Sequence, residues 1–336
     1  MKRFVLFLVK MKDVVGIGAL NLDLFYEVDD LQEFGLHQGR ETCLETGEFE
    51  RLRNEVERRG KFIGRSAGGS AANTIYALSL LGLDVGFMGK VGEDEEGDYI
   101  LKEMGRVDVS RVKREGRTGL CLVILDGRRD RALVVQPNAN DTLRYEDLDL
   151  DYLRRFRLLH MSAFRGDGPF RAQLRLMEVL PPEVRVSIDP GELYARRGLS
   201  QILPIVRRSK IVFLTEAELA LLTGHDDRKE GARALLREGP EFVICKRGKR
   251  GAVVFTREGE WAFSVSETEV VDNTGAGDVF DAGFIFAFLQ GAPLKEGIEF
   301  AHLLASRSLK GFGRETYPKG EVLRGLPFGL VLHGKG

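Results

Sequence analysis

Short hydrophobic runs alternate with helical patterns along most of the chain. Six runs that are typical of buried strands lie at residues 14–20, 85–89, 157–163, 184–189, 210–215 and 241–246. Helical patterns lie at residues 71–81, 170–180, 216–222 and 228–237. Because strands and helices alternate in this way, the pattern predicts an α/β fold, with a mainly parallel central sheet and helices on both of its faces.

A polar excursion interrupts this alternation. Residues 24–65 are largely polar, and residues 48–59 within them form a charged helical pattern with a thin apolar stripe, which on charge alone indicates an exposed helix. Further along, residues 119–127 and 131–138 predict a β-hairpin. We expect residues 11–23 and 67–325 to form the α/β core. Residues 24–66 would form a small lid, which part of residues 119–136 would join.

Composition argues against several classes of function. The chain has 336 residues and a formal net charge of −1, so nothing indicates nucleic acid or an acidic membrane surface as a partner. The three cysteines, Cys43, Cys121 and Cys245, lie far apart and match no metal-ligand spacing. Sparse cysteines of this kind are typical of a reducing compartment. We therefore expect a cytoplasmic protein.

The first ten residues, MKRFVLFLVK, resemble the start of a signal peptide. Their apolar stretch ends at Lys10, and no small-residue cleavage site follows. A membrane-spanning helix needs roughly 20 apolar residues, far more than this stretch provides. Met11 is a second candidate for the true start, which leaves open whether residues 1–10 belong to the protein.

The strongest chemical signal is the stretch VVDNTGAGDVFDAGFIFAF at residues 270–288. A predicted strand at 267–271 leads into Gly275, Ala276 and Gly277, and the residues that follow are apolar nearly all round the predicted helix. Glycines allow backbone N–H groups to converge, and such a nest at the start of a buried helix binds anions. Asp278 follows the nest directly, so it lies beside whatever anion the nest holds.

Two roles for Asp278 are open from these residues alone. The first is a helix-start carboxylate that complements the helix dipole, which is worth about 1 kcal/mol or less. That role suits Asp281, and Asp272 suits a turn. The second role is a general base that takes a proton from a substrate hydroxyl while the nest stabilises a phosphoryl group in transfer. We interpret Asp278 as this base.

Residues 272–284, DNTGAGDVFDAGF, resemble the C-terminal signature of the ribokinase-like (PfkB) family of small-molecule kinases, and residues 67–97 resemble its N-terminal signature. The resemblance implies a three-layer α/β/α fold with a small β lid. It also implies transfer of the terminal phosphate of a nucleotide, usually ATP, to a hydroxyl of a sugar, sugar phosphate or nucleoside. The family's catalytic base falls on Asp278, and its anion hole falls on Gly275, Ala276 and Gly277.

The resemblance also assigns residues to two sides of a cleft. On the substrate side they are Asn21, Asp23, Gly68, Gly69 and Asn73. On the nucleotide side they are Thr215, Glu218, Lys246, Gly248, Gly251 and His302. Two of these depart from the family pattern, because Thr215 replaces an asparagine and Lys246 replaces a threonine. For Lys246 the alternative to nucleotide binding is a place in a solvated turn, and for His302 it is simple packing on a helix.

Cations are implied at two places. Glu218 falls on the acid that helps to hold Mg²⁺, through water, beside the nucleotide phosphates; oxygen ligands suit this hard cation. Family members often bind potassium as well, and the positions that correspond to this second site are Asp272, Thr274, Gly311 and Gly313.

The identity of the acceptor stays open. Apolar and aromatic side chains that suit a nucleoside base are present at Leu24, Phe25, Cys43, Phe62 and Phe164. Cations that suit a sugar phosphate are present at Arg40, Arg65 and Arg165. The long polar excursion resembles that of adenosine kinases and related sugar kinases. A sugar or a nucleoside is therefore slightly favoured over a sugar phosphate.

Two other classes of protein are weighed against a kinase. A non-catalytic paralogue that binds sugars or nucleosides is disfavoured because Asp278, Gly275 and Gly277 are all retained. A Rossmann-type oxidoreductase is disfavoured because Asn21 stands where the third glycine after Gly18 belongs. Neither the oligomeric state nor the choice of ATP over ADP as donor follows from the sequence, although an exposed lid edge would favour a homodimer.

Overall fold

A computed structural model of the chain describes residues 11–39, 41–127, 131–265 and 270–324. Within them the strands are β1 (Lys12–Ile17), β2 (Asn21–Glu27), β3 (Glu41–Cys43), β4 (Lys61–Gly68), β5 (Val85–Met88), β6 (Lys90–Val91), β7 (Lys113–Arg114), β8 (Gly119–Leu125), β9 (Arg131–Gln136), β10 (Phe156–Ser162), β11 (Arg185–Asp189), β12 (Ser209–Thr215), β13 (Phe242–Lys246), β14 (Ala252–Phe255) and β15 (Glu260–Phe263). The helices are α1 (Thr46–Arg59), α2 (Ser70–Leu80), α3 (Glu95–Glu103), α4 (Leu150–Leu153), α5 (Asp167–Val179), α6 (Gly191–Ala195), α7 (Leu199–Arg208), α8 (Glu216–Thr223), α9 (Arg228–Glu238), α10 (Ala276–Leu289) and α11 (Leu294–Ser308).

Eight of these strands form the main sheet, in the order β15-β14-β13-β12-β11-β10-β1-β5. The strands from β5 to β13 pair in parallel, and β14 and β15 extend the sheet in antiparallel fashion. All six strands predicted from hydrophobic runs lie in the parallel part, and the four predicted helices correspond to α2, α5, α8 and α9. These predictions are confirmed.

The main sheet is covered on both faces, because successive side chains of each strand point to opposite sides. Val14 and Ile211 pack in a cluster with α2, α10 and α11. The next residues along the same strands, Val15 and Val212, pack in a separate cluster with α5, α7 and α9. Burial on both faces is what makes the parallel strands read as continuous apolar runs.

A second, small sheet has five strands in the order β3-β9-β8-β2-β4. It joins the polar excursion to the predicted hairpin, which β8 and β9 form in antiparallel pairing. The charged helix α1 is anchored by buried Phe49 and Val56, so it is not fully exposed. The small sheet also includes residues 21–23 and 67–68, which we had assigned to the core. The division into core and lid, and pairing of lids in a dimer, stay predictions.

Some expectations lie outside the described residues. Residues 1–10, Arg40, residue 325 and most of the predicted strand at 267–271 are among them. In the part of the chain that is described, no helix combines the length and the apolar character that crossing a membrane requires.

Candidate active site

A cleft of about 540 Å³ lies between the main sheet and the small sheet. Main-sheet strands contribute their carboxyl ends, with Asp189 at the end of β11 and Lys246 at the end of β13. A smaller cavity of about 230 Å³ adjoins the cleft and shares Asn21, Gly69 and Ser70 with it. In open α/β sheets, ligands bind at the carboxyl ends of the strands, so this is the candidate active site.

Helix α10 begins at the wall of this cleft. Its N-cap, Gly275, has a φ of 75°, and a Cβ added there would lie 2.2 Å from the hydroxyl oxygen of Tyr317, so both conformation and space require glycine. Within the described residues, the N–H groups of Gly275 and Gly277 have no hydrogen-bond acceptor, whereas the N–H of Ala276, the third residue predicted for the anion hole, donates to the carbonyl oxygen of Asn273 over 3.4 Å. The rest of α10 is almost entirely buried. Unpaired N–H groups at the start of a fixed helix are suited to hold an anion.

The Asp278 carboxylate lines the cleft directly behind these N–H groups. Ser70 Oγ donates to its Oδ1 and Asn73 Nδ2 donates to its Oδ2, each over 2.8 Å. Burial raises the pKa of Asp278 to about 6, although the hydrogen bond from Asn73 opposes this shift. A carboxylate with this pKa is mostly ionised at neutral pH and can accept a proton from a bound ligand.

Asn73, predicted to contact substrate, is a buried link between two charged side chains. Its Nδ2 donates to Asp278, and its Oδ1 accepts from Nε of Arg314 over 2.9 Å. Arg314 is itself held over the ring of Tyr76, with 4.8 Å between its guanidinium carbon and the ring centroid. Asn73 lines the cleft, so a substrate contact stays a prediction.

Asp23, on β2, is the second carboxyl group in the cleft, and it is buried. Burial raises its pKa to about 7, against the lowering effect of nearby Arg314. Gly68 pairs with Asn21 on the neighbouring strand, and a Cβ at Gly68 would lie 2.1 Å from Oδ2 of Asp23. A Cβ at Gly69, which has a φ of 109°, would lie equally close to the carbonyl oxygen of Ala19. The two glycines make room for the turn and for the carboxyl group.

Asn21 is held by a residue that the sequence did not single out. Asn140 Nδ2 donates to Asn21 Oδ1 over 2.8 Å, and Asn140 Oδ1 accepts from the N–H of Leu20. Asn140 is buried, so these hydrogen bonds fix the turn between β1 and β2. The orientation of Asn21 toward the cleft follows from them.

Lys246 forms the centre of a buried charge cluster. Its Nζ contacts Asp189 Oδ2 at 2.7 Å and Asp281 Oδ1 at 3.1 Å. Burial opposes the ionisation of Asp189, but the Lys246 ammonium outweighs it and lowers the pKa of Asp189. Burial raises the pKa of Asp281, and a hydrogen bond to Asp189 adds to this effect. Lys246 is thus no solvated turn residue, and the prediction that Asp281 complements the helix dipole is wrong, because its side chain is buried against Lys246.

Thr215 and Glu218 cap helix α8. The hydroxyl oxygen of Thr215 accepts from the Glu218 N–H, and Glu218 Oε2 accepts from the Thr215 N–H over 2.6 Å. Burial raises the pKa of Glu218, and the charge of Asp189 adds to this effect. Glu218 lines the cleft, whereas Thr215 does not. Threonine in place of asparagine therefore keeps the helix capped.

The other nucleotide-side residues lie apart from the cleft and do not line it. Gly248 and Gly251 have positive φ values of 54° and 80° in the turn between β13 and β14. A Cβ at Gly251 would lie 1.9 Å from the carbonyl oxygen of Phe263, so the turn requires glycine there. His302 packs on Phe280, with 5.2 Å between ring centroids, and its buried Nε2 has no partner among the described residues. Their roles in nucleotide binding stay predictions.

Three of the four residues predicted for a monovalent cation are joined by hydrogen bonds. The buried Asp272 accepts from the N–H and the hydroxyl of Thr274 through Oδ1, and from the N–H of Gly313 through Oδ2. Gly311 packs against Thr316 nearby in the chain. Arg131, from the small sheet, donates to the Thr274 hydroxyl.

Sequence reasoning missed several side chains that complete the site: Ser70, Asn140, Asp189, Arg131 and Arg314. Ser70 directly follows Gly68 and Gly69, which were assigned to the substrate side, so its position was a usable signal. The other four become neighbours of the site through topology alone, because each lies on a different element.

Comparisons with known proteins identify the family and the fold. The family profile described as pfkB family carbohydrate kinase matches residues 41–318. A relative from Archaeoglobus fulgidus named uncharacterized sugar kinase is 34% identical over 249 residues, covering 72% of this chain and 98% of the relative. The cytidine kinase of Thermococcus kodakarensis is 30% identical, covering 73% and 88%. Adenosine kinase from Sinorhizobium meliloti superposes with a TM-score of 0.81 at 23% identity, covering 92% and 96%. The predicted three-layer α/β/α fold is thereby confirmed.

Proposed function

Because the chain belongs to the pfkB family of carbohydrate kinases, which are phosphotransferases, we propose that it transfers the terminal phosphate of ATP to a hydroxyl of a sugar or nucleoside. One observation carries the proposal. The Asp278 carboxylate lines the cleft beside Gly275 and Gly277, whose N–H groups have no acceptor in the described chain. A base and an anion site are therefore adjacent, as phosphoryl transfer to an alcohol requires.

In the proposed reaction, Asp278 accepts the proton of the acceptor hydroxyl while the hydroxyl oxygen attacks the terminal phosphorus of ATP. The bond from that phosphorus to the bridging oxygen breaks, and ADP leaves. The N–H groups of Gly275 and Gly277 stabilise the charge on the group in transfer. Lys246 supports them with positive charge, since its Nζ would lie 3.4 Å from a Cβ placed on Gly277.

Magnesium fits this site as a partner of the nucleotide. No group of three or more histidine, cysteine, aspartate or glutamate side chains in the described residues forms a metal cluster. Magnesium commonly keeps several waters and binds through nucleotide phosphates and one or two carboxylates, so it needs no such cluster. Glu218 lines the cleft and is the carboxylate that would hold it through water. When bound, Mg²⁺ neutralises charge on the phosphate oxygens.

The cavity beside the cleft favours a neutral acceptor. It has apolar walls that include Cys43 and Phe164, which suits the base of a nucleoside or the face of a sugar. Its exposed Arg165 has the acidic neighbours Glu41 and Asp141. Burial raises the pKa of both carboxyl groups, and the charge of Arg165 opposes this shift. Arg65 stacks on Tyr99 and lines neither cavity. The name of the Thermococcus relative, cytidine kinase, also supports a nucleoside.

The proposal is tested by measuring phosphoryl transfer from ATP·Mg²⁺ and from ADP·Mg²⁺ to pentoses, hexoses, nucleosides and ribose phosphates. We expect at least one neutral acceptor to react with ATP. Asp278→Asn should lower kcat by about 10³-fold with little change in acceptor binding. The exposed Asp226 gives a matched control, and Asp226→Asn should behave like the wild type.

Three outcomes would change the proposal. Turnover of ribose phosphates alone would make the chain a sugar-phosphate kinase. Tight binding of a sugar or nucleoside without any turnover would make it a binding paralogue. Full activity of Asp278→Asn would remove Asp278 from the role of base.

A further inference from the structure

A side chain of the small sheet reaches the loop that precedes the anion site. Arg131, at the start of β9, donates from Nη1 to Oγ1 of Thr274 over 2.5 Å. The same nitrogen lies 4.0 Å from Oδ1 of Asp272, and the Arg131 side chain is 26% exposed. The two sheets are therefore joined by a hydrogen bond immediately before Gly275.

The hydrogen bonds continue from this link into the loop. The Thr274 hydroxyl accepts a hydrogen bond from Arg131 and donates one to Asp272 over 2.6 Å. It therefore links the guanidinium to the carboxylate. The Asp272 side chain is 1% exposed. A buried carboxylate is costly unless a positive charge or hydrogen-bond donors compensate it. Among the described residues, the cationic group that lies within 4.0 Å of the Asp272 carboxylate is the Arg131 guanidinium.

The position of the N–H groups of Gly275 and Gly277 depends on this loop. Asp272 Oδ1 accepts from the N–H of Thr274 over 2.8 Å and Oδ2 accepts from that of Gly313 over 3.1 Å. The side chain of Asp272 thus fixes the turn that ends in Gly275. A cation that compensates Asp272 therefore also orders the anion site.

We infer that Arg131 is a positioning residue that supplies, from the small sheet, the positive charge that Asp272 requires, so that neither folding nor turnover of this chain needs a monovalent cation. The residues predicted for potassium do not fit a separate ion, because Asp272 and Thr274 already engage the guanidinium. A fixed arginine is also always charged, whereas a dissociable ion is not always bound. The part of the following test that measures kinase activity rests on the proposed function.

The test compares the wild type with Arg131→Met in KCl, NaCl and tetramethylammonium chloride at equal ionic strength. We expect wild-type kcat to be the same in all three salts. Arg131→Met should lose about a hundredfold in kcat in tetramethylammonium chloride, as expected for a displaced catalytic loop, and K⁺ should restore part of it. Arg131→Lys, which keeps a cation, should retain more activity and respond less to K⁺. Lys61→Met, at an exposed position of the same sheet, is the matched control.

Thermal unfolding without nucleotide gives a second readout that does not depend on kinase activity. The wild type should unfold at the same temperature in all three salts, whereas Arg131→Met should be stabilised by K⁺ relative to tetramethylammonium. If no acceptor reacts but this difference is seen, the proposed function fails and the inference stands. Strong activation or stabilisation of the wild type by K⁺ would overturn the inference, as would an Arg131→Met variant that is indifferent to salt and fully active.

Discussion

Asn73 donates a hydrogen bond from Nδ2 to Oδ2 of Asp278 over 2.8 Å, although the two residues lie 205 positions apart. The bond joins the first turn of α2 to the first turn of α10. Because Arg314 donates to Oδ1 of Asn73, the amide can satisfy both neighbours only with its nitrogen toward Asp278. The carboxylate is therefore oriented by a side chain whose own orientation is fixed.

We expect Asn73→Ala to slow phosphoryl transfer by misorienting Asp278 and by raising its pKa. The hydrogen bond from Asn73 lowers the pKa of Asp278, so its loss should move the acid limb of the kcat/KM profile upward from about pH 6. A fall in kcat of about 10- to 100-fold should accompany the shift. Asn54→Ala, at an exposed position of α1, is the control. An unchanged acid limb in Asn73→Ala would show that Asn73 does not act through Asp278.

The raised pKa of Asp278 also predicts how stability depends on pH. Its pKa is about 6 in the folded protein and 3.8 as an ordinary carboxyl, so the folded state binds the proton more tightly. The stability that the protonated Asp278 carboxyl contributes to the folded state is fully present below pH 3.8 and is lost as pH rises through 6. Asp278→Asn removes this loss. We expect the variant to exceed the wild type in free energy of unfolding by about 3 kcal/mol at pH 8, with little difference at pH 4.

Urea unfolding at the two pH values measures this difference. Asp278→Asn should still show some fall in stability toward pH 8 through Asp23, because burial raises the pKa of Asp23 to about 7. Asp226→Asn should follow the wild type at both pH values. A loss of stability in Asp278→Asn at pH 8 would contradict the desolvation cost assigned to Asp278.

The main sheet was predictable because burial on both faces leaves a direct trace in the sequence. Parallel strands such as β10 and β12 are continuous apolar runs. In the antiparallel extension, β15 was missed because it is mostly exposed and carries no such run, and β14 because its buried run has only four residues. The strand β4 was missed as well, since its residues 61–66 are exposed or half-buried and include Gly64, Arg65 and Ser66.

The site was predictable only where its functional groups come from residues that are adjacent in the sequence. The glycines before Asp278 mark an anion site because backbone geometry depends on neighbouring residues. Lys246 and Asp189 meet because β11 and β13 lie on either side of β12, and that adjacency is a property of the sheet. The Arg131 contact depends in the same way on how the small sheet faces α10. Charged pairs that meet through topology produce no recognisable spacing pattern in a single sequence.

Gly68 and Gly64 lie on the same strand and make a matched pair for the acceptor side. A Cβ at Gly68 would lie 2.1 Å from Oδ2 of Asp23, whereas nothing lies within 4 Å of a Cβ at Gly64. We expect Gly68→Ala to displace Asp23 and to raise the KM for the acceptor at least tenfold, with a smaller effect on the KM for ATP. Gly64→Ala should leave both constants unchanged. Equal effects of the two substitutions would argue that Asp23 does not contact the acceptor.

Lys246 and Lys249 provide the sharpest contrast on the nucleotide side. Lys246 lies against Asp189 and Asp281 with its side chain 13% exposed, whereas Lys249 is exposed in the next turn. Removing one partner of a buried ion pair leaves the other charge uncompensated and typically costs 3–5 kcal/mol. We therefore expect Lys246→Met to lose about 3 kcal/mol of stability at pH 8. Lys249→Met should lose almost none.

The pH dependence identifies the cause of that loss. Burial lowers the pKa of Lys246, but the charges of Asp189 and Asp281 outweigh it and the net shift is upward, so its stabilisation is fully present below its ordinary value of 10.5. Without Lys246, burial would raise the pKa of Asp189, and Lys246→Met should recover stability as pH falls from 8 to 5. A simple loss of packing would be equal at both pH values. Urea unfolding of both variants at pH 5 and pH 8 therefore separates a buried ion pair from a packing contact, and pH-independent destabilisation would reject the ion pair.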